Sequence, residues 1–325
     1  MALLKHSSKI DKTITEVVEN DLKTKVISIN RMEAGEVSFV YKIKIKDGGI
    51  LITKVFRSHE FIPSKDKLEW IEGQLEKHRI PFAKTYKLDS SSNIFPNGYM
   101  IQEFIEGKSG FDLIINEEMS FGEYFNKLVI LLQKVHQIPI DGYGAIKNGK
   151  GEYKTFYESK LNYTKSLRER MKDLDVDEYM HEAALKAVEE LKKYEYLFKP
   201  VLVHGDPPPV NGIITKDGEL ILIDWDNAGS GIWITEYAGL TYKGAYMWQS
   251  KLSEEERNKI IKKSFKNYYK GVNFNDPDLL EVVRLLQILT AYQSLVVHYF
   301  QHEDLELYNI AKKRLAKMLN FNVII

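Results

Sequence analysis

The sequence predicts an α+β protein of two lobes, a small antiparallel sheet lobe followed by a larger, mainly helical one. Three observations predict it. The first hundred residues hold short β-branched runs separated by Gly-containing turns. Beyond Gly107 the apolar residues recur at helical spacing instead. Between these regimes there is no repeat and no low-complexity linker, only the short segment "EFIEG". The expected division is residues 1–102, a hinge at 103–107, and residues 108–325.

The elements follow in order. Residues 9–22 carry helical spacing, and "KVISINRM", "VSFVYKIKI" and "GILITKVF" read as three strands. Turns at 33–36 and 46–49 separate them, the second a hairpin signal through Asp47-Gly48. Residues 64–78 form an amphipathic helix with Leu68, Ile71 and Leu75 on one face, and Pro81 bars its continuation. "TYKLDSSSN" and "GYMIQEFIEG" complete a five-stranded sheet. Helices are expected over 122–136, 176–198, 254–270, 277–300 and 304–319, with a strand-rich block at 201–224. Ser253 to Glu256 is a capping box, and Asp276-Pro277 pairs a cap with a first-turn proline.

Composition bounds the function. The chain has 325 residues, 44% of them hydrophobic and 12% aromatic, enough for a substantial core. Net charge is +0, which argues against a general nucleic-acid or membrane-surface binder. The cysteine count is zero, so disulfides, thiol catalysis and Cys-ligated metals are excluded, and a cytoplasmic location is expected. No apolar run approaches the length that spans a bilayer, and no protein partner is evident.

The chemistry concentrates in "VLVHGDPPPVNGIITKDGELILIDWDNAG", residues 201–229. Phosphoryl transfer needs a carboxylate to orient a hydroxyl, with an amide and a second carboxylate to hold Mg²⁺ on the phosphates. Asp206 and Asn211 stand at the Asp-x-x-x-x-Asn spacing of a kinase catalytic loop, and the apolar run 220–223 delivers Asp224 to the metal-binding position. Pro207, Pro208 and Pro209 stiffen the loop between them. Lys54, mid-strand in "LITKVF", is the expected phosphate clamp, the alternative being a lysine turned to solvent. Its carboxylate partner is expected on the 64–78 helix, Glu69 in preference to Glu72. Gly35 and Ser38 occupy the place of a phosphate-covering turn, which a plain hairpin would also fill. The remaining histidines form no His-Glu-x-x-His pair, so no zinc site is expected.

These motifs resemble the aminoglycoside phosphotransferase and choline-kinase-like family of protein-kinase-fold small-molecule kinases. The signature appears as "HGDPPPVN" and "IDWD", and "LLQKVHQIP" is similar to the family's Leu-x-x-x-His helix end. Residues 142–161 and 285–315 resemble the hygromycin B phosphotransferases in particular. Two departures are visible: the three prolines before Asn211, and Glu236 where an Asp is common.

The resemblance implies an enzyme binding ATP or GTP with Mg²⁺, with Asp206 catalytic and Asn211 and Asp224 on the metal. It also implies that Glu103 C=O and Ile105 N–H meet the base edge. The expected acceptor is a small hydroxylated molecule, an aminoglycoside-type antibiotic ahead of a housekeeping sugar, choline-like or amino alcohol. A protein kinase is disfavoured by His-Gly-Asp and by the lack of Ala-Pro-Glu after Asp224. A non-catalytic nucleotide-binding protein is the alternative of a different class. Asp226, Glu236, Glu303 and Asp304 are candidate acceptor carboxylates. For 303–306 the alternative is an acidic first helical turn.

Overall fold

The computed structural model describes residues 8–32, 37–244 and 251–320. The chain divides into two compact units, Met1–Glu72 with Phe82–Glu106, and Gly73–Pro81 with Gly107–Ile325.

In the first unit, helix α1 (Ser8–Leu22) precedes strands β1 (Val26–Arg31), β2 (Ser38–Ile45) and β3 (Ile50–Phe56). Helix α2 (Lys65–Lys77) begins here, and β4 (Thr85–Asp89) and β5 (Tyr99–Glu103) follow. The sheet is antiparallel in the order β1-β2-β3-β5-β4. Side chains alternate between faces along a strand. On one face Leu51 and Val55 join Phe39, Tyr41 and Ile43 of β2, and Ile14, Val17 and Val18 of α1 close over them. Each such side chain contributes about 1.5–3 kcal/mol on full burial. On the other face Phe56 and Met100 pack with Leu68 of α2.

The second unit holds two small sheets among helices. Strands β6 (Lys108–Ser109), β10 (Gly212–Ile214) and β11 (Leu220–Leu222) form one, in the order β11-β10-β6. Strands β7 (Tyr143–Lys147), β8 (Lys150–Tyr153), β9 (Val201–Val203) and β12 (Gly229–Gly231) form the other, in the order β8-β7-β12-β9. The helices are α3 (Gly110–Ile115), α4 (Phe121–Val135), α5 (Phe156–Arg170), α6 (Glu178–Leu191), α7 (Trp233–Gly244), α8 (Glu254–Tyr268), α9 (Pro277–Val296) and α10 (Leu305–Asn320). The capping box at Ser253 and Glu256 starts α8, and Asp276 accepts from the N–H groups of Asp278 and Leu279 to start α9.

Helix α9 packs against α5, α6, α7 and α10, and α4 against α8. By length and composition Pro277–Gln301 is apolar enough to cross a membrane, against the sequence expectation, and 67% of its most apolar window is buried inside the protein. The β7–β8 hairpin and α5 are absent from the sequence expectation. Only Phe156, Thr164 and Leu167 of α5 are buried, so its apolar stripe is faint, but its capping box, Thr155 to Glu158, was a readable start signal.

Candidate active site

The site grows from the way β9, β10 and β11 hold their connecting loops. Leaving β9, the chain turns at Gly205, whose φ is +83° and where a Cβ would lie 2.3 Å from the Asn227 carbonyl oxygen. Only glycine fits that approach. The His204 ring is fully buried and works in two directions. Its Nδ1 accepts from Asp206 N–H at 3.3 Å, so Nε2 carries the proton and donates to the Ile223 carbonyl at 3.0 Å. The ring also lies against Trp225, centroids 4.6 Å apart. His204 therefore ties the Asp206 segment to the Asp224 segment.

Asn211 ties them a second time. Its Nδ2 donates to the Asp206 carbonyl at 3.1 Å, and its own carbonyl accepts Ile223 N–H at 2.9 Å. The register Gly212↔Leu222 and Ile214↔Leu220 then runs to the turn at Gly218. Asp224 follows Ile223 at φ +67°, ψ +60°. A left-handed aspartate costs about 1–3 kcal/mol and persists where surrounding structure over-determines it. Two bonded segments thus bring Asp206, Asn211 and Asp224 together at the base of one hairpin.

This donor set fits Mg²⁺. With its Nδ2 committed to Asp206, Asn211 keeps its amide oxygen, and Asp224 adds a carboxylate. A hard cation that retains waters and takes phosphate oxygens needs few protein ligands.

Glu236 is corrected. It does not stand as an acceptor carboxylate but is 4% exposed on α7. Its Oε1 accepts Gly205 N–H at 2.9 Å, and its Oε2 meets Nε2 of His136, at the C-cap of α4. The other nitrogen of His136 meets the Tyr269 hydroxyl. Burial would raise the Glu236 carboxyl, but the charge and hydrogen bond of His136, with the Gly205 N–H, bring it below the usual carboxylate range. A depressed carboxyl contributes stability that is fully present above its unfolded value near 4.5 and is lost as pH falls through the folded value. The parent should therefore lose more melting temperature between about pH 5 and pH 3 than Glu236→Gln does. Equal slopes in a pH series of thermal melts would refute this assignment.

Asp304 is corrected too: its carboxylate caps α10, accepting Glu306 N–H and Leu307 N–H at 2.9 Å each. Glu303, just before it, is left-handed at φ +52°. Asp226 is half-buried, two residues from Asp224.

In the first unit, alternation along β3 puts Lys54 with Ile52 and Phe56 on the face that carries Leu68 of α2, opposite Met100. Helical spacing then discriminates the carboxylates. Glu72 lies one turn from Leu68, accepts Thr85 N–H at 3.0 Å, and is raised by burial. Glu69 is 65% exposed and paired with Lys65 at 3.6 Å. Of the two, Glu72 lies on the side of α2 that packs inward and Glu69 on the exposed side. Ser38 opens β2 and is buried, and Gly35 lies outside the described residues. Glu103 ends β5, its N–H donating to the Lys84 carbonyl at 2.8 Å, and Ile105 lies in the irregular segment after it.

No curated protein matches the sequence. A ternary complex of a thermostable aminoglycoside phosphotransferase APH(4)-Ia mutant with ADP and hygromycin B is similar at TM-score 0.68, with 13% identity over 96% of this chain and 100% of that one. Choline kinase LicA from Streptococcus pneumoniae gives 0.65, with 19% identity over 95% and 100%. A macrolide 2'-phosphotransferase type I gives 0.63, with 13% identity over 97% and 99%. At such identities the likeness carries the fold, and the α+β, kinase-like class expected from the sequence is the one found. Residues 31–273, which include Lys54 and the whole loop from His204 to Asp224, match the phosphotransferase enzyme family, and the chain belongs to that family.

Proposed function

We propose that the protein moves the γ-phosphoryl of ATP, or of GTP, to a hydroxyl of a small molecule. One observation carries this reading: Asp206, Asn211 and Asp224 are bonded into a single hairpin base through Asn211 and Ile223. Asp206 orients the acceptor hydroxyl and takes its proton, while Asn211 and Asp224 supply the oxygens for Mg²⁺. That ion, when bound, neutralises charge developing on the phosphates. Lys54, set by Glu72, clamps the α- and β-phosphates, and the backbone of Glu103 and Ile105 meets the base. A cytoplasmic location, where nucleoside triphosphate is supplied, goes with this reading.

The acceptor is an aminoglycoside-type antibiotic. Supporting this are the stretches 142–161 and 285–315 and the likeness to a structure holding hygromycin B. A second reading, a neutral hydroxylated metabolite or amino alcohol, is favoured by one finding. Glu236 is engaged with the loop and Asp304 with a helix end, so two of the four carboxylates that would hold a polycation serve the fold instead.

Purified protein with Mg-ATP, screened against aminoglycosides, sugars, nucleosides and amino alcohols, tests the reading. It is joined to inhibitory concentrations in a sensitive bacterium expressing the chain. Phosphorylated aminoglycoside and raised tolerance are expected. Turnover of a neutral acceptor alone would replace the antibiotic reading with the second one, and no turnover of any acceptor would overturn both.

A further inference from the structure

Behind the catalytic loop, Tyr269, His136, Glu236 and Gly205 form one hydrogen-bonded line that ends a residue short of Asp206. Tyr269 sits at the C-cap of α8, its ring stacked on Trp233 at 4.8 Å and Phe265 at 5.2 Å. Burial, and then the charge of Glu236, pushes its hydroxyl well above the ordinary tyrosine range, so it stays protonated.

The loop depends on this line because its own sequence offers few donors. Pro207, Pro208 and Pro209 have no N–H, so the first half of the loop is anchored through Gly205 N–H and Asp206 N–H. The first of these is held by Glu236. An ionised carboxylate only accepts, so His136 Nε2 must present a proton to it. A ring bonded at one nitrogen alone can swing or change tautomer. A hydroxyl on Nδ1, able to donate or accept, pins both.

We infer that Tyr269 is a positioning residue: through His136 and Glu236 it sets the place of Gly205, and with it the Asp206 carboxylate. The inference rests on the reading of Asp206 as the group that orients the acceptor hydroxyl.

Tyr269→Phe tests it, since the ring and its stacking survive and only the hydroxyl is lost. Losing one buried hydrogen bond from the transition-state geometry should lower kcat about tenfold, with KM for ATP within about twofold of the parent. Phe265→Leu is the packing control: it should lower Tm while kcat stays as in the parent. Nitrogen-resolved NMR of the substrate-free protein supplies a readout independent of turnover. In Tyr269→Phe the His136 ring nitrogens and the Gly205 amide should shift, and in Phe265→Leu they should not. Glu236→Asp, which shortens the arm, should move the Gly205 amide in the same way.

An unchanged Gly205 amide in Tyr269→Phe overturns the inference, as does an unchanged kcat. If the parent phosphorylates no acceptor, the reading of Asp206 falls, yet the amide shifts still decide whether Tyr269 governs the loop.

Discussion

Asp206→Asn should lower turnover by a factor on the order of 10² or more while nucleotide affinity stays nearly unchanged. The substitution keeps size and removes both the proton acceptor and the local negative charge. Two of the bonds that hold the segment use the backbone of Asp206, its N–H on His204 and its carbonyl on Asn211, and these survive the substitution. The loop should therefore keep its course, and the loss should fall on an interaction made mainly in the transition state. Single-turnover kinetics with saturating Mg-ATP, beside nucleotide titration, separates the two effects. Near-normal turnover would sink the assignment of Asp206.

Asp224→Ala should abolish both Mg-nucleotide binding and turnover. The carboxylate is the charged oxygen donor of the pair that Asn211 completes, so its loss leaves the ion a single neutral protein ligand there. A nucleotide present at a hundredfold its Kd adds about 2.7 kcal/mol, which is roughly 5 °C of Tm for a domain of this size, and that shift should vanish. Removing a left-handed aspartate also alters the backbone. Asp224→Asn, which tolerates the same φ, is therefore the paired variant and should keep the fold while losing the shift. Lys54→Ala should reduce the Mg-ATP shift without lowering the nucleotide-free Tm by much. A full shift in either Asp224 variant, or in Lys54→Ala, would show that the residue named is not on the nucleotide.

Much of this was legible in the sequence where the deciding interactions are local. The Asp206 to Asn211 spacing, the apolar run into Asp224, the alternation in "LITKVF" and the caps at Ser253 and Asp276 act within a few residues of themselves. Backbone geometry over so short a span leaves few choices. Asp304 shows that limit well: the local sequence allowed an acidic first helical turn over 303–306, and the structure makes Asp304 the cap just ahead of that turn, with Glu306 inside it. Tertiary structure alone decided the rest. Glu236 reads as a stray acid near the metal aspartate until His136, a hundred residues away, is brought onto it. Tyr269 meets His136 across a separation of 133. Glu72 is told from Glu69 only when the sheet defines which side of α2 is inward. Burial makes these pairings decisive: a polar group removed from water must find a partner, and which partner it finds depends on packing between distant elements, not on its neighbours in the chain.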